Sequence, residues 1–389
     1  MKKILFLYDN FFTEYDYSRF QIAYLSKHFI IEVIDFTNFL NQKYYKKFYN
    51  KKLFYKNKKF SLIHIKNNND LKNFFFKMKR KKNFNYLIDN MTKMNSRSFS
   101  IRKHLSELNS IKLVKINSGK IPMPNLGDKI IFSIINHNLY NDFKNKILSK
   151  IKKIKPVVKN NIIKNFNNYD IDIFTGLKNL KNISKHKIFS STFDYSTFLK
   201  KGNKKKIKKN KEYAVYLEEI MVDHPDFYKD KNFKNPIKKK LFNKELLSFF
   251  KNFEKVTKLN IIYAMHPRNI FLNKKINFIP DNTADLVKNS KMVLLHASTA
   301  ISYAILNKKP LLYLDSRNYS WMRPRIRAFM RETGGNVIDI SNYDNLGLSE
   351  INLNKIDKLK YSNYIKNYIK HPKSNNGGWE RHLMKFIKK

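Results

Sequence analysis

Short apolar runs alternate with stretches of helical spacing along most of this chain, and the alternation stops once and starts again. ILFLY (residues 4–8) is followed by the helical spacing of SRFQIAYLSKHF (18–29) and then by IIEVIDF (30–36), a β-α-β opening. Residues 41–83 are rich in Lys, Asn and Phe and are expected to hold a helix with irregular flanks. A strand end at 86–89, a helix entered at 98–102, LVKIN (113–117) and DIDIFTG (170–176) complete a first unit. KKGNKKKIKKNK (200–211) then carries charge without apolar periodicity and reads as a linker or solvated loop. From Tyr213 the pattern resumes: YAVYL, the amphipathic KELLSFFKNFEKVTK, NIIYAM, TADLVKNS, KMVLLH, STAISYAILN, PLLYLD and NVIDI. Strands separated by helices require parallel sheets with right-handed crossovers. The expected fold is therefore α/β, with two Rossmann-like domains facing a cleft. They are expected at 1–199 and 213–356, with a charged linker at 200–212. A helical region at 357–389, broken by a turn at 375–378, is expected to return to the first domain.

Composition narrows the class. A chain of 389 residues can bury two cores, and 42% hydrophobic residues exclude disorder. The absence of cysteine excludes disulfides, thiolate metal sites and cysteine nucleophiles. No apolar run reaches the roughly 18 residues that a membrane span needs. The opening MKKILFLY is interrupted by Asp9, Asn10 and Glu14, too early for a signal peptide, which points to a buried first strand in a cytoplasmic protein. The formal charge of +49 accompanies an excess of Lys, Asn, Ile, Phe and Tyr, all with AT-rich codons. Because the lysines are spread along the chain, codon bias accounts for most of this charge, and nucleic acid is not the expected partner. The charge would still favour loose attachment to anionic lipid at the inner face of a membrane, at about 1 kcal/mol per basic residue near the surface.

Chemistry concentrates where strands end. One apolar run ends in His266-Pro267-Arg268, and another ends in His296-Ala297-Ser298-Thr299 and opens a helical pattern. Unpaired amides at a helix start, two hydroxyls, an Arg fork and a His together suit a phosphate group. Each residue also has a plainer reading. His266 could be a satisfied structural histidine, and Ser298 and Thr299 an N-cap; His296 either orients its loop or simply caps the strand. Loops at the carboxyl ends of parallel strands are where such sheets bind ligands, so Glu218 and Glu219 after YAVYL also qualify, as do Asp9, Glu14 and Asp16 after ILFLY. Asp223, His224 and Asp226 lack a second cluster at ligand spacing, so no metal is expected. The GxSxG, Walker and GxGxxG motifs are all missing.

His266-Pro267 followed by Ser298-Thr299, on these strand ends, resembles the second domain of GT-B glycosyltransferases from bacterial surface-polysaccharide loci. The layout is similar to that of bacterial sialyltransferases and capsule transferases with HP and Ser-Ser or Ser-Thr motifs. The run YAVYLEEIMVDHPD (213–226) is similar too, although the acidic pair there tends to be Asp-Glu and here is Glu218-Glu219. The resemblance covers about residues 213–340 and the first domain in outline. It implies a cytoplasmic, metal-independent glycosyltransferase without a cofactor, acting by single displacement. The donor would be a nucleotide-sugar, such as an acidic CMP-activated one, and the acceptor a glycan or lipid-linked glycan. Its phosphate would lie at His266, Arg268, His296, Ser298 and Thr299. Glu219 or Glu218 would be the base or a ribose ligand, with Asp9, Glu14 and Asp16 as rivals. A nucleotide-sugar epimerase or a polyol-phosphate transferase shares the fold, and a basic nucleic-acid-binding protein is the alternative of another class.

Overall fold

The computed structural model describes residues 2–49, 55, 57–80, 84–92, 95–108, 111–117, 120–125, 166, 168–179, 184–202, 212–219, 237–266, 278–279, 283–342, 348–349 and 354–388. Two parallel sheets organise them. The first contains β1 (Lys3–Tyr8), β2 (Ile30–Asp35), β3 (Ser61–His64), β4 (Phe84–Asp89), β5 (Lys112–Asn117), β6 (Ile171–Phe174) and β7 (His186–Phe189), in the order β3-β2-β1-β4-β5-β6-β7. The second contains β8 (Tyr213–Leu217), β9 (Asn260–Ala264), β10 (Phe278–Ile279), β11 (Met292–Leu295), β12 (Leu311–Asp315) and β13 (Asn336–Asp339), in the order β10-β9-β8-β11-β12-β13. In both, the first strand of the unit lies inside the sheet, and the strand order reverses beside it.

β1 shows why the apolar runs become buried strands. Ile4, Phe6 and Tyr8 enter one core while Leu5 and Leu7 enter another on the opposite face. A strand covered on both faces needs a continuous apolar run, and ILFLY supplies one. The loop after β1 is closed by a capping box: Thr13 accepts from the Asp16 N–H, and Asp16 accepts from the Thr13 N–H at 3.0 Å. The single helix expected across 18–29 is two pieces, Glu14–Arg19 and Ile22–Leu25, because Gln21 takes a left-handed conformation (φ 53) between them. Residues 41–83 hold more than one helix: Gln42–Phe48, the edge strand β3, and Asn68–Arg80.

Further elements not expected from the sequence include β7, β10, the helix Thr37–Leu40, the helix Phe193–Gly202 and the helix Arg323–Thr333. The helix Phe193–Gly202 runs through the start of the stretch read as a linker; residues 203–211 lie outside the described residues. It also bridges the two units, with Phe193 in the core of the first sheet and Tyr195 against that of the second. Beside it, the Thr192 N–H donates to Ile369 O at 2.8 Å and the His371 N–H to Ser190 O at 2.9 Å.

The carboxyl-terminal region touches both sheets in turn. The helix Lys358–Tyr364 and the wider turn Ile365–Ile369 put Tyr361, Tyr364 and Ile369 into the core of the second sheet. The chain then crosses over, and the helix Trp379–Ile387 places Trp379, Leu383 and Met384 among Ile4, Phe6 and Ile171. At the crossing, a Cβ added to Gly176 would stand 2.3 Å from the Asn367 carbonyl oxygen, so only glycine permits this approach. No helix among the described residues is long and apolar enough to cross a membrane.

Trp379 is fully buried and meets Phe193 edge-on at 5.4 Å. Trp379→Ala should lower the unfolding free energy by about 3–5 kcal/mol, read from the denaturant midpoint. An unchanged midpoint would show that the final helix adds nothing to the first core.

Candidate functional site

The carboxyl edge of the second sheet gathers most of the residues singled out above. β8 lies between β9 and β11 and is parallel to both, so the two residues after it emerge between two strand-ending loops. The Glu218 N–H continues the ladder by donating to Ala264 O at 3.1 Å, and its carboxylate accepts the His266 N–H at 2.8 Å. The neighbouring Glu219 turns to the other side. One of its oxygens accepts the Ala297 N–H at 3.1 Å, and the other lies 3.5 Å from Arg325 Nη1. Each carboxylate is thus held by a peptide N–H from the loop of the adjacent strand.

Their surroundings differ. The Glu219 side chain is 16% exposed, and burial pushes its carboxyl above the ordinary glutamate range. The Arg325 charge and the Ala297 N–H work against that rise. A carboxylate of this kind is more basic than a solvated one, as a proton acceptor needs to be. Arg325 sits in the first turn of the helix Arg323–Thr333, which has Pro324 at its start. Its neighbour Arg323 donates to Asp315 at 2.5 Å and anchors that turn to the end of β12. Sequence reasoning missed Arg325. The available signal was Pro324 followed by Ile326 and Phe329 at helical spacing, hidden among four arginines between 323 and 331.

His296 orients its loop from inside the core. It is fully buried, and its Nδ1 donates to Leu314 O at 2.7 Å, which leaves Nε2 without a proton and without a partner. Burial lowers its pKa to about 4. The rings of Tyr216, Phe242 and Tyr319 surround it at 5.8, 5.9 and 5.4 Å. A neutral ring so enclosed does not face a phosphate; it pins the loop that carries Ala297 to the end of β12.

The helix after this loop begins at Ile301, later than the hydroxyl pair suggests, with Ala300 as its N-cap and no side-chain cap. Ser298 is buried and accepts the Ala300 N–H at a long 3.4 Å, whereas Thr299 is exposed. His266 is half-buried beside Glu218. Pro267 and Arg268, with Asp223, His224 and Asp226, lie outside the described residues.

The acidic residues of the first domain are committed elsewhere. Asp9 is fully buried and accepts the Thr92 N–H at 3.0 Å and the Thr92 hydroxyl at 3.1 Å, joining the ends of β1 and β4. Asp16 holds the capping box and also accepts the Tyr8 hydroxyl at 2.6 Å. Glu14 is exposed in the first turn of the same helix. Among the described residues, no group of three or more His, Cys, Asp or Glu is placed to hold a metal.

No family model and no curated protein matches this chain. Solved structures match its fold. Two structures of the wall teichoic acid polymerase TagF each cover 100% of this chain and 88% of theirs. One has TM-score 0.53 and 11% identity, and the other, soaked with CDPG, has 0.54 and 12%. The UDP-GlcNAc 2-epimerase from Methanocaldococcus jannaschii gives TM-score 0.47 and 15% identity over 100% of both chains. At such identities the likeness is one of architecture, and the fold is GT-B: two α/β domains, each built on a parallel sheet.

His296 sets a pH dependence whose sign follows from its burial. The folded state favours the neutral ring, so its contribution to stability is full above about pH 6.5 and is lost as pH falls towards 4. The limiting loss is about 3 kcal/mol. Unfolding free energies measured between pH 7 and 4 should fall less steeply for His296→Phe than for the wild type. Parallel curves would place the titrating group elsewhere.

Proposed function

We propose that this chain is a glycosyltransferase that moves a sugar from a nucleotide-activated donor to a hydroxyl of a glycan acceptor, with Glu219 as general base. The observation that carries this reading is the Glu219 carboxylate itself. It is raised by burial, steered by the Ala297 N–H, and paired with Arg325 at the carboxyl edge of a central parallel strand.

In this mechanism the donor lies over the second sheet. Its phosphate is met by His266, by the Ser298–Thr299 loop and by Arg268, and Arg325 adds positive charge beside the base. An acceptor hydroxyl oxygen attacks the anomeric carbon while the bond from that carbon to the phosphate oxygen breaks, and Glu219 takes the hydroxyl proton. The nucleotide leaves with the electron pair of the broken bond, and cationic side chains and peptide N–H groups stabilise its charge. Glu218 stiffens the start of the His266 loop through the His266 N–H. The HP and Ser-Thr motifs favour an acidic, CMP-activated sugar as the donor, and the basic surface would keep the enzyme near an anionic membrane and its lipid-linked acceptors.

Turnover with a panel of CMP-, UDP-, GDP- and CDP-linked donors tests the reading. Glu219→Gln should lower kcat by about 10²–10⁴-fold with little change in the donor's KM. A rise in donor KM at unchanged kcat would make Glu219 a ribose ligand instead. Turnover of a donor without any acceptor would identify an epimerase.

Removal of the phosphate donors should act in the opposite way. His266→Ala, and the double change Ser298→Ala with Thr299→Ala, should weaken donor binding and turnover, with up to about 2.7–4 kcal/mol lost per transition-state donor. Wild-type rates in both variants would place the active site elsewhere.

A further inference from the structure

The helix Asn68–Arg80 packs on the first sheet by one side only. Phe74 and Met78 are buried in the core that contains Leu5, Leu7 and Leu87, with Leu71 and Phe75 packed against it. Residues three and four apart share a face of a helix, so this inner side leaves an opposite face to solvent. Phe76 stands on the outer face and, at 55% exposed, is the most open phenylalanine among the described residues. Lys72 and Arg80 lie four residues before and after it, and Lys79 three residues after, so all three neighbour its ring. The Arg80 guanidinium stands over that ring at 4.1 Å. Lys77 widens the face, and asparagines fill the rest of it. All four cations are exposed, and none is paired with an acidic residue among the described residues. The one acidic residue of the helix, Asp70, is half-buried and accepts the Lys66 N–H at 2.9 Å.

Four like charges on one helix face repel each other, and the phenyl ring between them is left in water. An anionic bilayer relieves both. Its phosphates lie at the surface for the cations, and its acyl chains begin just below for the ring. Long lysine stems suit this, because they reach the headgroups while the apolar side chain goes deeper. The helix need not move, since the residues that anchor it to the core are on its other side. A soluble anion would satisfy the cations alone. A single-stranded nucleic acid is held by several rings along a basic groove, and this convex face has one ring. The helix Lys239–Thr257 also exposes lysines, but its outer apolar residues, Leu241 and Leu247, are only 38% and 39% exposed.

We propose that the outer face of the helix Asn68–Arg80 docks on an anionic lipid surface, with Phe76 entering the acyl region and Lys72, Lys77, Lys79 and Arg80 meeting lipid phosphates. This deepens the membrane contact of the transferase reading by giving it a face, and rests on that reading only for the membrane as partner.

Co-sedimentation of the full-length protein with vesicles tests it, without turnover. The vesicles are phosphatidylcholine alone and phosphatidylcholine mixed with phosphatidylglycerol. The wild type should bind the mixed vesicles and not the neutral ones. Lys72→Gln with Lys79→Gln should lower the partition coefficient about fivefold for each charge removed, and Phe76→Ser about tenfold, at unchanged melting temperatures. The charge-matched control is Lys244→Gln with Lys251→Gln on the helix Lys239–Thr257, which should bind as the wild type does. An equal loss in that control would mean that net charge alone drives binding, and would overturn the proposal. So would wild-type binding by Phe76→Ser, or no binding to the mixed vesicles. Retention of a single-stranded oligonucleotide that Lys72→Gln with Lys79→Gln abolishes, without vesicle binding, would make this a nucleic-acid face instead. Vesicle binding through this helix in a protein that turns over no nucleotide-sugar would leave the face standing and remove the transferase reading. Turnover of a soluble acceptor without vesicle binding would remove the face alone.

Discussion

A parallel strand that ends inside a sheet exposes peptide N–H groups on the loops at either side, and in the second domain these groups hold two adjacent carboxylates. Glu218 takes the His266 N–H from the β9 side, and Glu219 takes the Ala297 N–H from the β11 side. Adjacent residues, both acidic, are thereby directed to opposite sides of β8. The arrangement holds only if both loops keep their positions. The β11 loop is fixed by the His296 contact to Leu314 O, deep among aromatic rings. The basicity of Glu219 is thus a tertiary property, set by burial on one side and by the reach of Arg325 on the other.

The central strands were legible because each is buried on both faces and so must be continuously apolar. YAVYL, KMVLLH and PLLYLD could hardly be anything else, and the carboxylates and loops that follow them were found by position alone. The edge strand β3 was not found, since SLIH is half exposed and its stability comes from the ladder to β2 rather than from its own composition. The helix Arg323–Thr333 was hidden by its charge, and with it Arg325, whose meaning depends on where Glu219 lies in space. The early helix start assigned to Ser298 and Thr299 failed for a local reason. Ala300 is the N-cap, and the hydroxyls precede it in the turn.

The first domain uses its acidic residues differently from the second. Asp9 ties the ends of β1 and β4 together through Thr92, Asp16 closes the capping box, and Asp89 binds the buried Arg102 at 2.6 Å. These carboxylates are consumed in holding the loops of the edge in shape. In the second domain the Glu219 carboxylate is held instead by the Ala297 N–H and lies beside Arg325. The two sheets share an architecture and divide the polar chemistry between them.

The return of the last helix has a consequence for biosynthesis. Trp379, Leu383 and Met384 belong to the core built on β1, which leaves the ribosome long before them. That core therefore waits, with an apolar face open beside Phe6 and Phe193, while everything between β7 and Trp379 is made. At about 5–20 residues per second the wait is roughly ten to forty seconds. The second domain can complete its own sheet during that interval. Through that interval the nascent chain is a half-closed molecule, and its strong positive charge opposes self-association.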